Sequence, residues 1–343
     1  MGYNLSKEEI DNLFKKLREE YKIFAPKNFE KQGRYSDTDI VKYDEIKSFN
    51  EIVSDKKSTY PAKEVINPIS QTLYYFTEDE FRESKNPYRD KKILIFARPC
   101  DINAQLRQDK IYLQNGGFED VFYKRIREKV KFICMECAEG FDTCFCTSMG
   151  SNKTSDYSLA VRFSKDSAIF NVKDEEFKEY FNGCKEEEFI LKFVEKNSVS
   201  VIIPEIKNKE VLIKLKDHPM WTEFNSRCIE CGSCTVACST CSCHTTRDIV
   251  YNKNSGERKR IQASCHVDGF DEMAGGHKFR ITAGDKMRYK ILHKIHDYKA
   301  QFKDNHMCVG CGRCTDRCPE HIAITATINK VNEAVKEIVG GTN

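Results

Sequence analysis

Apolar residues recur at helical spacing over Ile10, Leu13, Phe14 and Leu17, directly behind Ser6-Lys7-Glu8-Glu9. Ser6 and Glu9 have the spacing of a capping box, so the pattern predicts an amphipathic helix near the start of the chain. From Tyr21 to about Phe81 the pattern becomes short and β-like, broken by Pro26, Gly33, Pro61 and Pro68. Ile40–Tyr43 and Thr72–Phe76 are strand candidates within it. Lys92-Ile93-Leu94-Ile95-Phe96-Ala97 is a continuous apolar run and predicts a buried strand. It leads into Arg98-Pro99-Cys100-Asp101, with a helix expected from about Ile102 and Asp101 as its N-cap. Val130–Ile133 predicts another strand, and Tyr157–Val172 a hairpin. Further helices are expected over Glu175–Phe181, Glu186–Lys196, Lys209–Lys216 and Asp285–Phe302.

These elements predict an α+β fold. An N-terminal α+β domain is expected over 1–220, followed by a helical ferredoxin-like dicluster domain over 221–343. The second domain carries an insertion at about 239–307, which includes the basic stretch Arg258-Lys259-Arg260. Trp221, the single tryptophan, is expected to pack at the boundary between the domains.

The strongest chemical signal lies in the second half. Cys308, Cys311, Cys314, Cys318 and Pro319 read C-x2-C-x2-C-x3-C-P, the run that ligates iron–sulfur clusters in bacterial ferredoxins. Cys228, Cys231, Cys234 and Cys238 repeat the spacing without the proline. In two-cluster ferredoxins the fourth cysteine of each run serves the other cluster. One [4Fe–4S] cluster is therefore assigned to Cys228, Cys231, Cys234 and Cys318. The other is assigned to Cys308, Cys311, Cys314 and Cys238. Gly232, Gly310 and Gly312 can take the positive φ that such tight loops need. Zinc would ask for two separated CxxC pairs and does not require the third cysteine that follows two residues later in both runs; a zinc-binding interaction module is the alternative from a different class.

A second concentration of thiols lies upstream. Cys134, Cys137, Cys144 and Cys146 fall within about a dozen residues, and Cys100 follows a neighbouring strand. They point to a third metal site, against the plainer reading as buried free thiols. Spacing alone does not choose four ligands from these five. Cys184, Cys241, Cys243 and Cys265 read as packing residues. Lys286, Arg288 and Lys290, on the basic helix, read as a surface for docking a partner.

Composition narrows the class. The 17 cysteines among 343 residues are an odd number, so full disulfide pairing is impossible. The fraction is also below that of small disulfide scaffolds. No signal-peptide pattern and no apolar run of membrane-spanning length occurs, so a cytoplasmic, reduced protein is expected. The formal charge of +3 counts every cysteine as neutral. Eight thiolates around two [4Fe–4S]2+ cores subtract about 4, which leaves a loaded protein near neutrality and no nucleic-acid surface. No Gly-rich dinucleotide motif and no phosphate-binding loop is present, so nothing points to a flavin or nucleotide site.

Several motifs together resemble one family. They are Arg98-Pro99-Cys100-Asp101, the block Cys144 to Gly150, the tail Cys238-Ser239-Thr240-Cys241-Ser242-Cys243, the segments Ala263–Phe270 and Met273–His277, and the run Cys308 to Pro319. Over residues 20–330 the chain resembles the A subunits of anaerobic sulfite reductases, relatives of the β subunits of cytoplasmic sulfhydrogenases. Ser239 stands where the family pattern has proline. The resemblance implies a non-catalytic iron–sulfur electron-transfer subunit with three [4Fe–4S] clusters. It implies an NAD(P)H-oxidising flavoprotein B subunit and a sirohaem C subunit that reduces sulfite to sulfide. For the third cluster, the extended block from Cys137 to Cys144-Phe145-Cys146 makes Cys100, Cys137, Cys144 and Cys146 the expected ligands, with Cys134 spare. The alternative within the class is the β subunit of a hydrogenase or sulfhydrogenase.

Overall fold

A computed structural model describes residues 1–35, 37–85, 87–88 and 91–341. The chain divides into two compact units. The first comprises 1–139, 152–195 and 246–261; the second comprises 140–151, 196–245 and 262–343. The expected boundary at residue 220 therefore does not describe the division. Segments 140–151 and 196–220 fold with the ferredoxin-type runs, and 246–261 folds with the first unit.

The strands are β1 (Gly2–Ser6), β2 (Tyr21–Phe29), β3 (Ile40–Glu45), β4 (Ser70–Thr77), β5 (Phe81–Glu83) and β6 (Lys92–Ala97). They continue with β7 (Val130–Met135), β8 (Leu159–Phe163), β9 (Ser167–Val172), β10 (Lys185–Glu187), β11 (His244–Asn252) and β12 (Ser255–Gln262). One sheet has the order β10-β1-β9-β8-β7-β6-β2-β3, and a small one has the order β11-β12-β4-β5. In the large sheet β2, β6, β7 and β8 run parallel. Parallel strands are covered on both faces, which is why Lys92–Ala97 reads as an unbroken apolar run.

Alternate residues of that run serve two cores. Leu94 and Phe96 pack with Ile10, Leu13, Phe14 and Leu17 of helix α1 (Lys7–Glu20). Ile93, Ile95 and Ala97 pack on the other face with Ile102, Tyr112, Tyr123 and Ile126. Those four come from helices α2 (Pro99–Leu113) and α3 (Val121–Arg127). The Ser6–Glu9 capping box forms, with Glu9 accepting from the Ser6 amide at 2.7 Å.

Three sequence expectations are corrected. Helix α2 starts at Pro99 with Arg98 as its cap, not at Ile102. Proline suits the first helical position, whose N–H has no intrahelical partner, and Asp101 sits inside the first turn. Glu175–Phe181 is a 3-10 helix. Residues 186–196 form no helix but extended chain after β10, because Phe189, Leu191 and Phe193 alternate against the second core.

The second unit has its own core. Phe145, Trp221, Phe224, Met287, Ile291, Ile295, Ile328 and Val331 are among its buried residues. Helices α4 (Lys209–Lys216), α5 (Ala283–Leu292) and α6 (Ile324–Gly340) supply most of the rest. The Trp221 indole donates to the Leu215 carbonyl at 2.8 Å. Among the described residues no helix is long and apolar enough to cross a membrane.

Candidate metal centre

The two ferredoxin-type runs adopt the same local fold. Each has a left-handed residue at its third position, Glu230 at φ 55° and Gly310 at φ 63°. Each then has a left-handed glycine, Gly232 or Gly312, both at φ 73°. One helical turn follows in each, Ser233–Val236 and Arg313–Asp316. The Thr235 and Thr315 amides donate to the Gly232 and Gly312 carbonyls, both at 2.9 Å. The Cys238 and Cys318 amides donate to the Thr235 and Thr315 carbonyls, both at 3.2 Å. The shared spacing thus produces two copies of one loop, each ending on its fourth cysteine.

The thiols fall into two neighbourhoods, with Cys314 bordering both. Cys228, Cys231, Cys234, Cys314 and Cys318 line one cavity, together with His266, Met287 and Lys290. Burial pushes the Cys228 thiol up, and the charges of Cys234, Cys231 and Cys318 add to it. Burial likewise pushes Cys308 up to about 12, with Cys238 and Cys311 adding to it. Cys314 is raised well above its usual range by burial, with Cys238, Cys311 and Cys308 adding. Cys228 is thus joined by the last cysteine of the second run, and Cys308 by the last cysteine of the first.

Cluster iron, when bound, would supply the positive charge that favours ligating thiols as thiolates. Backbone amides already point at sulfur: Gly310 N–H donates to Cys308 Sγ at 3.4 Å and Ile322 N–H to Cys318 Sγ at 3.3 Å. Ser239 is almost fully buried. Its hydroxyl lies 3.4 Å from Cys311 Sγ and accepts from Arg313 at 3.0 Å. The serine that replaces proline therefore gives Cys311 a polar neighbour. Among the described residues no group of three or more His, Cys, Asp or Glu side chains is arranged to hold a single metal ion.

Two buried cations complete the setting, and they correct the docking expectation. Lys286 and Lys290 are 2% and 5% exposed, so neither can form a docking face. Lys286 pairs with Glu230 of the first loop. Burial opposes a charged Lys290, but Cys234 and Cys314 outweigh it and hold the ammonium firmly protonated. Lys294 continues the stripe; it is 8% exposed and donates to the Thr240 hydroxyl at 3.2 Å. Its π-helical turn, His293–Asp297, accompanies a bond from the Cys308 amide to the Lys294 carbonyl at 3.1 Å. Arg288, by contrast, donates to the Lys216 carbonyl.

The sequence reading missed Lys294 and His266. A signal for the lysines was present: Lys286-Met287, Lys290-Ile291 and Lys294-Ile295 repeat every four residues, placing lysine and apolar side chains on one face.

The other cysteines are distributed as follows. Cys144 and Cys146 belong to the second unit. Their segment packs on the second loop, where the Phe145 amide donates to the Gly310 carbonyl at 2.8 Å. Cys144 Sγ donates to the Cys311 carbonyl at 3.6 Å, and Cys146 Sγ to Asn197 Oδ1 at 3.5 Å. Cys100 and Cys137 belong to the first unit, Cys100 in the first turn of α2 and Cys137 bridged to Phe193. Cys134 is fully buried on β7 among core residues. Cys184 packs against the first core. Cys241, Cys243 and Cys265 meet one another, with Cys243 bonded to both of the others. None of the seventeen cysteines, all of them among the described residues, forms a disulfide.

Comparison with known proteins gives the class first. Residues 227–322 match the family described as a 4Fe-4S dicluster domain. The chain is thus an iron–sulfur protein of the electron-transferring kind. Over its length it is similar to Sulfhydrogenase 2 subunit beta of Pyrococcus furiosus, at 28% identity, covering 96% of this chain and 98% of that one. No solved structure matches. This likeness supports the hydrogenase-type alternative at least as well as the sulfite reductase reading.

Proposed function

We propose that this chain is the electron-transfer subunit, of the β type, of a cytoplasmic hydrogenase or sulfhydrogenase complex. The observation that carries the iron–sulfur part is the division of ferredoxin-type thiols into two neighbourhoods, each joined by the last cysteine of the other run. The ligand sets are Cys228, Cys231, Cys234 and Cys318 for one [4Fe–4S] cluster, and Cys308, Cys311, Cys314 and Cys238 for the other. When bound, such clusters accept and release single electrons. The chain's own residues hold the thiolates, exclude water and set the local charge. Lys290 and Lys294 offset thiolate charge, and amides aimed at Cys308 and Cys318 stabilise negative sulfur. No side chain is assigned a role as acid, base or nucleophile.

Cys100, Cys137, Cys144 and Cys146 are proposed for a third cluster, with Cys134 left to packing. That choice rests on the concentration of cysteines from Cys137 to Cys146.

The second reading is the iron–sulfur subunit of an anaerobic sulfite reductase, with a flavoprotein partner and a sirohaem partner. It rests on the motif resemblance, from Arg98-Pro99-Cys100-Asp101 to Cys308–Pro319. Affinity purification of the tagged chain under anaerobic conditions separates the two. Nickel and hydrogen-dependent reduction of the clusters in the captured complex support the hydrogenase reading. Sirohaem and sulfite-dependent reoxidation, without nickel, overturn it in favour of the second.

A further inference from the structure

His266 is fully buried, and neither of its ring nitrogens has a hydrogen-bond partner among the described residues. It lines the same cavity as Cys228, Cys231, Cys234 and Cys318. Its position is fixed from the backbone: the His266 amide donates to Ser264 Oγ at 3.2 Å, and the Val267 amide to the Ser264 carbonyl at 3.1 Å. The segment sits tightly on the first cluster loop. A Cβ placed on Gly232 would come within 2.8 Å of Ser264 Oγ. Packing holds the ring there; no carboxylate or carbonyl does.

A buried imidazole without partners is costly, because each ring nitrogen has lost water and gained nothing in return. A chain keeps such a group where a ligand completes it. In either protonation state the ring carries at least one N–H donor. Five cysteine sulfurs, those of Cys228, Cys231, Cys234, Cys314 and Cys318, line this cavity with it, and a sulfur that ligates iron accepts such a bond. The group at Cys311 is different: a serine hydroxyl and a guanidinium.

We propose that His266 is a positioning residue that donates an N–H bond to a sulfur of the first cluster, bound by Cys228, Cys231, Cys234 and Cys318. The bond favours the reduced state, which carries more negative charge on sulfur. It raises the potential of the first cluster. This inference rests on the iron–sulfur reading above.

The test uses the full chain, purified anaerobically, as wild type, His266→Gln and His266→Leu, with histidine ring nitrogens labelled. Iron and sulfide are measured first, then pulsed electron paramagnetic resonance on the reduced protein, then a redox titration. Wild type shows a coupling from a histidine nitrogen and from an exchangeable proton; both variants lose the nitrogen coupling. At a fixed poise the reduced-to-oxidised ratio of one cluster falls about tenfold in His266→Leu, about 59 mV for one electron. His266→Gln, which keeps an N–H donor, recovers part of the shift. Full iron in all three proteins, no histidine coupling in wild type and unchanged ratios overturn the role of His266. Wild type without iron instead overturns the iron–sulfur reading beneath it.

Discussion

Replacing Lys290 by methionine removes one charge and keeps nearly the same volume. Lys290 is 5% exposed and lies in the cavity lined by Cys228, Cys234, Cys314 and Cys318. Its ammonium is held charged against burial by Cys234 and Cys314, ligands proposed for different clusters. A unit charge at ~4 Å and an effective dielectric of ~20 is worth ~4 kcal/mol. An added electron is spread over a cluster and does not reside on one sulfur, so a quarter to a half of that, ~1–2 kcal/mol, is expected. For one electron this is about 45–90 mV towards lower potential. Because Lys290 faces ligands of both sets, both titration waves should move in Lys290→Met. Lys290→Arg, which keeps the charge, should stay near wild type. Redox titration followed by electron paramagnetic resonance reads the shifts, with iron content as the control for assembly. Unchanged or raised potentials in a fully loaded Lys290→Met protein would refute the countercharge argument.

Other consequences follow from the same geometry. Gly310→Ala places a Cβ at a positive φ and within 2.6 Å of Phe145 and Cys146 backbone atoms, so it should lower thermal stability and iron content together. Gly183→Ala, also at positive φ but with nothing within 4 Å, should leave iron content unchanged. Cys144→Ser should take iron from about twelve towards about eight per chain if a third cluster is present, whereas Cys134→Ala should cost stability and no iron. Glu136 is partly buried, but bonds from Arg162 and from the Lys192 amide outweigh burial and hold its carboxyl below the usual range. Its folded pKa is below the unfolded one. That stability is therefore complete above about pH 4.5 and lost as pH falls through the folded value. Denaturant titrations of wild type and Glu136→Gln between pH 7 and 3 should converge at the acid end; curves that stay parallel would refute this.

The parts of the fold that local chemistry decides were legible in the sequence. Ser6 and Glu9 cap α1 because a capping box needs only four adjacent residues. Leu94 and Phe96 were legible as buried because a strand covered on both faces leaves no polar alternation. The extended stretch around Phe189, Leu191 and Phe193 was not. Its glutamates favour helix locally, and its period of two acquires meaning only against a core supplied by distant strands. The cysteine runs were legible because ligand spacing is itself local. The lysines of α5 were misread for a physical reason. Helical periodicity identifies a face, but charge normally marks the wet one, and here the thiolates reverse that rule. His266 lies in the motif Ala263–Phe270, but nothing in its local sequence pointed to the cavity it enters.

The measurement that tests the central claim most directly is iron and acid-labile sulfide per chain, on protein purified anaerobically, beside Cys318→Ser. At least about eight irons and eight sulfides are expected for a chain with two [4Fe–4S] clusters. The Cys318→Ser protein should lose the cluster held by Cys228, Cys231 and Cys234 while the other persists. Zinc in place of iron, or loss in Cys318→Ser of the cluster held by Cys308, Cys311 and Cys314, would contradict it.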